Sequence, residues 1–139
     1  PRSASGHAIT LHKPLRVQRT SLADGSPALA CSGMPADCVL MGIAQFPPDG
    51  GRFDLVVSGI NHGPNLGWDV TYSGTVAAAM EAVIAGVPAI AVSMASYDPA
   101  PHWDTAADFV ARRLARETVA RGLPTATLLN VNVPNLGPS

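Results

Sequence analysis

Asp54 to Gly86 reads DLVVSGINHGPNLGWDVTYSGTVAAAMEAVIAG, and the reading of this stretch decides the fold. Leu55, Val56 and Val57 form a short continuous apolar run, the pattern of a strand buried on both faces. A loop is expected next, holding Gly59, Gly63, Gly67, Asn61, Asn65 and Pro64. Ser73-Gly74-Thr75 then opens an alanine-rich helix that ends at Gly86, before Pro88. In an open α/β sheet, the carboxyl end of a strand and the start of the following helix face one crevice, where such folds bind ligands.

The residues of that loop have chemical uses. Glycine lets backbone approach a ligand and reach positive φ. Asn61 and Asn65 offer carbonyl oxygens to a hard cation, or amide donors to a phosphate oxygen. The first turn of a helix carries unpaired N–H groups and a partial positive charge that suit an anion. The same residues also serve as ordinary turn formers, with Ser73 as a simple N-cap. Taken alone, the loop says anion or metal-phosphate site.

Outward from this stretch, Pro88 to Met94 reads as a second buried strand and Leu128 to Val133 as a third. A loop over 95–103 is expected at the same sheet edge as the glycine loop, followed by a helix capped by Asp104 and closed by Gly122 near Arg121. Strand, helix, strand, helix, strand at this spacing means βαβ units and a parallel sheet. Upstream, Ala36, Val39, Leu40 and Ile43 fall on one face of a helix that begins at Pro35, with Asp37 in its first turn, and ends before Pro47-Pro48-Asp49-Gly50-Gly51. Apolar residues alternate from Ala8 to Val17, with Pro14 interrupting, which predicts an edge strand or extended arm. Asp24-Gly25 marks a turn before a short strand at Ala28–Cys31, so a hairpin is expected. The fold class is α/β, a three-layer αβα Rossmann-like fold with a mainly parallel sheet and a hairpin or arm near the N-terminus. Residues 1–139 are expected to make one domain or a large part of one, incomplete at both ends.

Hydrophobic residues make up 47% of the chain and charged ones only 14%, well under the usual quarter, which implies either unusual burial or surface that meets further chain or partner subunits. A net charge of -1 gives no electrostatic case for nucleic acid or an anionic membrane. Arg112, Arg113 and Arg116 sit in a helical pattern and read as a solvated face. Cys31 and Cys38 lie in no zinc-binding pattern and are expected as small buried thiols rather than a disulfide. No apolar run has the length of a membrane span and no signal peptide opens the chain, so a cytoplasmic location is expected. Pro1-Arg2-Ser3 is an unusual start, and upstream residues are expected.

GxSxG, GxxxxGK[ST] and GxGxxG are all absent, which argues against a hydrolase elbow, a P-loop kinase and a dinucleotide-binding dehydrogenase. The acidic residues are scattered singly, so no carboxylate cage is visible. The four histidines have no metal spacing; His62 lies in the loop, either exposed or against phosphate. Asp37 and Asp69 read as structural carboxylates, while Trp68 and Tyr72 either pack under the loop or stack on a nucleobase.

Five blocks, RSASGHAIT (2–10), MPADCV (34–39), VSGINHGPNLG (57–67), YSGTVAAA (72–79) and LNVNVP (129–134), resemble the survival-protein SurE family of nucleotidases in order and spacing. The resemblance implies a three-layer α/β fold and a divalent-metal phosphatase, with Mg²⁺ or Mn²⁺ as cofactor, acting on nucleoside 5′- or 3′-monophosphates. It places metal ligands at Ser3, in the RSASGH block, and Asn61, in SGIN, beside an Asn-Asp-Asp-Gly aspartate pair that has no counterpart in this sequence. That pair is expected upstream, and a C-terminal part is likewise expected beyond the chain. The implied partners are nucleotide substrates and a second copy, as homodimer or homotetramer, with no nucleic acid duplex and no membrane. Met34 departs from the family's more usual threonine, so a helix N-cap worth about 1 kcal/mol is lost. Oxygen ligands suit a hard cation, while Ser73, Gly74 and Thr75 at the helix start are positioned for the phosphate, with Asn65 orienting it. Without an upstream aspartate pair the alternative is a non-catalytic nucleotide or phosphate binder.

Overall fold

The computed structural model of the chain describes residues 6–49 and 51–137. Three strands, β3 (Val56–His62), β4 (Ala89–Met94) and β5 (Leu128–Val133), form a parallel sheet in the order β3-β4-β5. A separate antiparallel hairpin, β1 (Val17–Ser21) and β2 (Pro27–Cys31), runs in register from Val17 opposite Cys31 to Ser21 opposite Pro27. Its turn is held by Leu22 donating to the Ser26 carbonyl at 2.9 Å and by the Asp24 carboxylate accepting from the Ser26 N–H at 2.9 Å.

β4 decides the layering. All six of its residues are buried, and their side chains alternate between two chemistries. Ala89 and Ala91 pack against Val76, Ala79 and Ala82 of α2 (Gly74–Ile84), where small residues on both sides let helix and sheet approach closely. Ile90, Val92 and Met94 point the other way, onto Ala106 of α3 (Trp103–Asp108) and Val110 of the π segment Phe109–Leu114 that continues α3 into α4 (Ala115–Arg121). Helices on both faces of a parallel sheet make the expected three-layer arrangement. Val39 and Ile43 bring α1 (Pro35–Gln45) onto the α2 side.

Some expectations need correction. Leu55 to Val57 is not buried on both faces: Val57 is 47% exposed, because β3 is an edge strand among the described residues. β3 also continues through Ser58-Gly59-Ile60-Asn61 to His62, so Gly59 and Asn61 belong to the strand, not the loop. Of the two alternatives for Ala8–Val17 the segment takes the arm, not the edge strand; pairing begins only at Val17, after Pro14. Asp104 lies in the first turn of α3 and does not cap it; His102 is the N-cap, with no side-chain cap bond. Both cysteines are free thiols, but Cys38 is exposed and Cys31 only half-buried. The arginine face is solvated as expected, Arg112 pairing with Asp108 and Arg113 with Glu117. Among the described residues no helix is long and apolar enough to cross a membrane.

Asp37 fixes the N-terminal arm. Its carboxylate, in a residue only 4% exposed, accepts the Met34 N–H at 2.7 Å, the Thr10 N–H at 3.1 Å and the Thr10 hydroxyl at 2.6 Å. Burial pushes this carboxyl up, but the Thr10 hydroxyl and the Met34 and Thr10 N–H groups together outweigh that and hold it below its ordinary value. The arm's other anchors are His7 against Glu81 of α2 at 2.6 Å and the Gly6 N–H on the Tyr72 carbonyl at 2.9 Å.

Candidate functional site

The carboxyl end of β3 carries a bulge. Ser58 lies opposite Ala91 and Asn61 opposite Ser93, three steps on one strand against two on the other. The extra residue breaks the alternation of exposure along β3 and re-aims Asn61. Its amide nitrogen donates to the Gly63 carbonyl at 2.9 Å and the His62 carbonyl at 3.3 Å, which leaves Oδ1 as the outward atom. The Thr75 hydroxyl, in the first turn of α2, approaches that oxygen at 3.4 Å. Strand end and helix start therefore share one crevice, as the βαβ reading expects.

Ser73 is the N-cap of α2, its hydroxyl accepting the Val76 N–H at 3.2 Å and its carbonyl the Ala77 N–H at 2.9 Å. Its own N–H turns back to the Val70 carbonyl of a 3₁₀ helix over Gly67–Tyr72, at 3.4 Å. Of the first-turn donors, Gly74 and Thr75 remain with N–H groups that no intrahelical carbonyl reaches. Ser73 thus caps the helix with its oxygen, and its hydroxyl proton is left to donate elsewhere.

Asn65 is tied to the sheet behind it. The residue is only 6% exposed and its amide donates inward to Ser93 Oγ at 2.7 Å. Its backbone N–H donates to Asn132 Oδ1 at 2.8 Å, and its carbonyl accepts from Asn130 Nδ2 at 2.9 Å and Asn132 Nδ2 at 3.2 Å. Asn130 and Asn132 are two apart on β5 and so reach out from one face of the strand. Asn65 is the pin by which the glycine loop hangs from the sheet.

Asn61, Asn65, Ser73, Gly74 and Thr75 line one cleft of about 690 Å³, together with His62, Asp69, Tyr72 and Tyr97. This volume lies within the range of small-molecule sites. Ser3 lies outside the described residues. Asp69 and Tyr97 are lining residues that sequence reasoning did not assign to the site; Asp69 stood near the helix start, whereas nothing local marked Tyr97. Trp68 is 86% exposed and is not among the lining residues. A larger groove of about 900 Å³ runs along α3 from Pro101 to Arg113, but it follows one helix, and its Arg112 is already paired with Asp108. The smaller cleft has the converging donors and oxygen ligands.

A divalent cation fits part of this donor set. Asn61 Oδ1 is a hard, oriented oxygen, but among the described residues no three His, Cys, Asp or Glu side chains stand together. What the described residues supply is thus one oriented neutral oxygen beside the free N–H groups of a helix start.

Comparison with known proteins places this geometry. The chain is 57% identical over 134 residues to the 5′-nucleotidase SurE of Pelobacter propionicus, covering 96% of the chain and 51% of that relative. The 5′-nucleotidase SurE of Herpetosiphon aurantiacus is 55% identical over 136 residues, with 95% and 51% coverage. The crystal structure of the SurE protein from Aquifex aeolicus matches with a TM-score of 0.77 at 39% identity, over 96% of this chain and 52% of that one. The chain spans about half the length of the curated relatives it matches. A family model described as survival protein SurE covers residues 1–139, and with a β3–α2 crevice and a hairpin set on the same fold, the chain belongs to the SurE family.

Proposed function

We propose that the whole protein is a divalent-metal-dependent phosphomonoesterase that releases phosphate from nucleoside 5′- or 3′-monophosphates. The observation that carries this reading is the shared crevice, in which an oriented Asn61 Oδ1 stands beside the capped N-terminus of α2. Asn61 and Ser3 would hold the metal. Bound there, Mg²⁺ or Mn²⁺ supplies a Lewis acid for the phosphoryl oxygens and an activated water. Gly74 and Thr75 present their N–H groups to the phosphate, where negative charge builds in the transition state. The Thr75 hydroxyl is placed to bridge the anion and the Asn61 oxygen. The relatives' name, 5′-nucleotidase, supports the substrate class. The exposed apolar side chains of Leu11, Trp68 and Ile84 accord with contact to further protein, as in a homodimer or homotetramer. The free thiols accord with a reducing cytoplasm.

A second reading, a nucleotide or phosphate binder without catalysis, is favoured by the lack of a carboxylate cluster among the described residues. Phosphate release from adenosine monophosphate by the intact protein separates the two. The expected result is turnover that disappears on chelation and returns with Mn²⁺. Gly74→Val should raise KM and lower kcat together, since a Cβ beside the cradle blocks both ground-state and transition-state charge. Binding without release would leave the second reading standing.

A further inference from the structure

The loop between β4 and α3 is braced on several sides. Ala95 donates to the Val133 carbonyl at 2.8 Å, and the Asp98 N–H donates to Ser96 Oγ at 3.0 Å. The Asp98 carboxylate accepts from the Ala100 N–H at 2.9 Å, while its carbonyl accepts His62 Nε2–H at 2.7 Å. The His62 ring in turn meets Trp103 edge-on, with centroids 5.6 Å apart. Tyr97 stands in the middle of these bonds, so its backbone is fixed from both sides.

The Tyr97 ring lies on Gly63, which has φ +96°; a Cβ there would sit 2.5 Å from Cε1 and 3.2 Å from Cζ of the ring. Gly63 suits the position twice, for its positive-φ backbone and because a bare Cα lets the phenol rest on it. Even so, Tyr97 is 74% exposed, and it lines the same cleft as Gly74 and Thr75. An aromatic ring seated on backbone, held by its loop and still open to the cleft, is built as a wall for something flat.

We propose that Tyr97 is the stacking platform for the base of the substrate, so that the cleft prefers phosphomonoesters carrying a nucleobase over those carrying an aliphatic chain. This rests on the reading of the cleft as a phosphomonoester site. Stacking uses the π-face that every base has, so the preference is for aromatic over aliphatic esters rather than for one base. The helix N-terminus holds the phosphate and Tyr97 the opposite end of the ligand.

The test uses the intact protein with Tyr97→Ala and Tyr97→Phe. Calorimetry measures binding of adenosine and of inorganic phosphate separately, and kinetics compares adenosine monophosphate with glycerol phosphate. Loss of one stacking partner should raise the Kd for adenosine and the KM for the nucleotide about tenfold. The Kd for inorganic phosphate and the KM for glycerol phosphate should stay at the parent values, and Tyr97→Phe should restore adenosine binding. If Tyr97→Ala binds adenosine like the parent, or weakens adenosine and inorganic phosphate alike, the platform assignment is wrong. Failure of Tyr97→Phe to restore binding overturns it too. A parent protein that hydrolyses neither ester, yet loses adenosine on Tyr97→Ala, would refute the enzymatic reading and uphold the platform.

Discussion

Replacing Asn132 by alanine cuts the glycine loop from the sheet at a calculable cost. Two hydrogen bonds to Asn65 go, one accepted from its N–H at 2.8 Å and one donated to its carbonyl at 3.2 Å. The two losses are unequal. The Asn65 carbonyl keeps Asn130 Nδ2 at 2.9 Å, so losing the second bond costs about 1 kcal/mol or less. The Asn65 N–H has no such substitute and sits in a residue 6% exposed, so it incurs the desolvation penalty of an unsatisfied buried donor, about 1–3 kcal/mol. Asn132→Ala should therefore lower stability by about 1–4 kcal/mol. Asn130→Ala leaves Asn132 in place on both groups and should cost about 1 kcal/mol or less. Urea unfolding of the intact protein, with m-values checked for constancy, measures both. Equal losses from the two variants, or a loss under about 0.5 kcal/mol for Asn132→Ala, would show that the loop is not pinned through Asn65.

Asp37 gives the protein a stretch of acid sensitivity. Its folded pKa lies below the ordinary 3.8, so the carboxylate's contribution is complete above that value and is lost as pH falls through the lower folded value. Asp37→Asn should cost about 2–3 kcal/mol near neutral pH and flatten the fall of Tm below the ordinary carboxyl value; thermal melts across that range in parent and variant check it, and parallel curves would refute it. Asn61→Ala should leave the fold intact, because the residue's own amide bonds go only to the adjoining Gly63 and His62 carbonyls, while divalent-metal binding drops severely. Calorimetric titration with Mn²⁺ decides this, and unchanged affinity in a folded variant sinks Asn61 as a ligand.

The sequence made legible whatever rests on local pattern. Ser73 caps α2 as its position announced, and Ala89–Met94 is the buried strand that the apolar run Pro88–Met94 predicts, because both depend on neighbours within a turn or a strand. The strand through Ser58-Gly59-Ile60-Asn61 was hidden because glycine and asparagine read as loop, and only pairing with β4 overrides that propensity. The anchoring of Asn65 was hidden for a related reason. Its inward turn is set by Ser93 and by Asn130 and Asn132, the nearest of them 28 residues away, and no local signal reports such partners. Tyr97 is the same case, placed on Gly63 by the parallel order of β3 and β4. The alternation at Ala8–Val17 left strand and arm open because period-two patterning needs a partner strand, and β2 supplies one only from Val17 onward.

The complete burial of β4 also bears on how the molecule opens. Its amides are paired on both edges and shielded on both faces, so they should exchange with solvent only when the whole sheet comes apart, while the exposed β1–β2 hairpin frays far more readily. Ser93, near the end of β4, is one of the groups that hold Asn65. The crevice loop is thus tied to the slowest-opening segment of the chain, so that on heating, site geometry and core are lost in the same cooperative event rather than the site melting first.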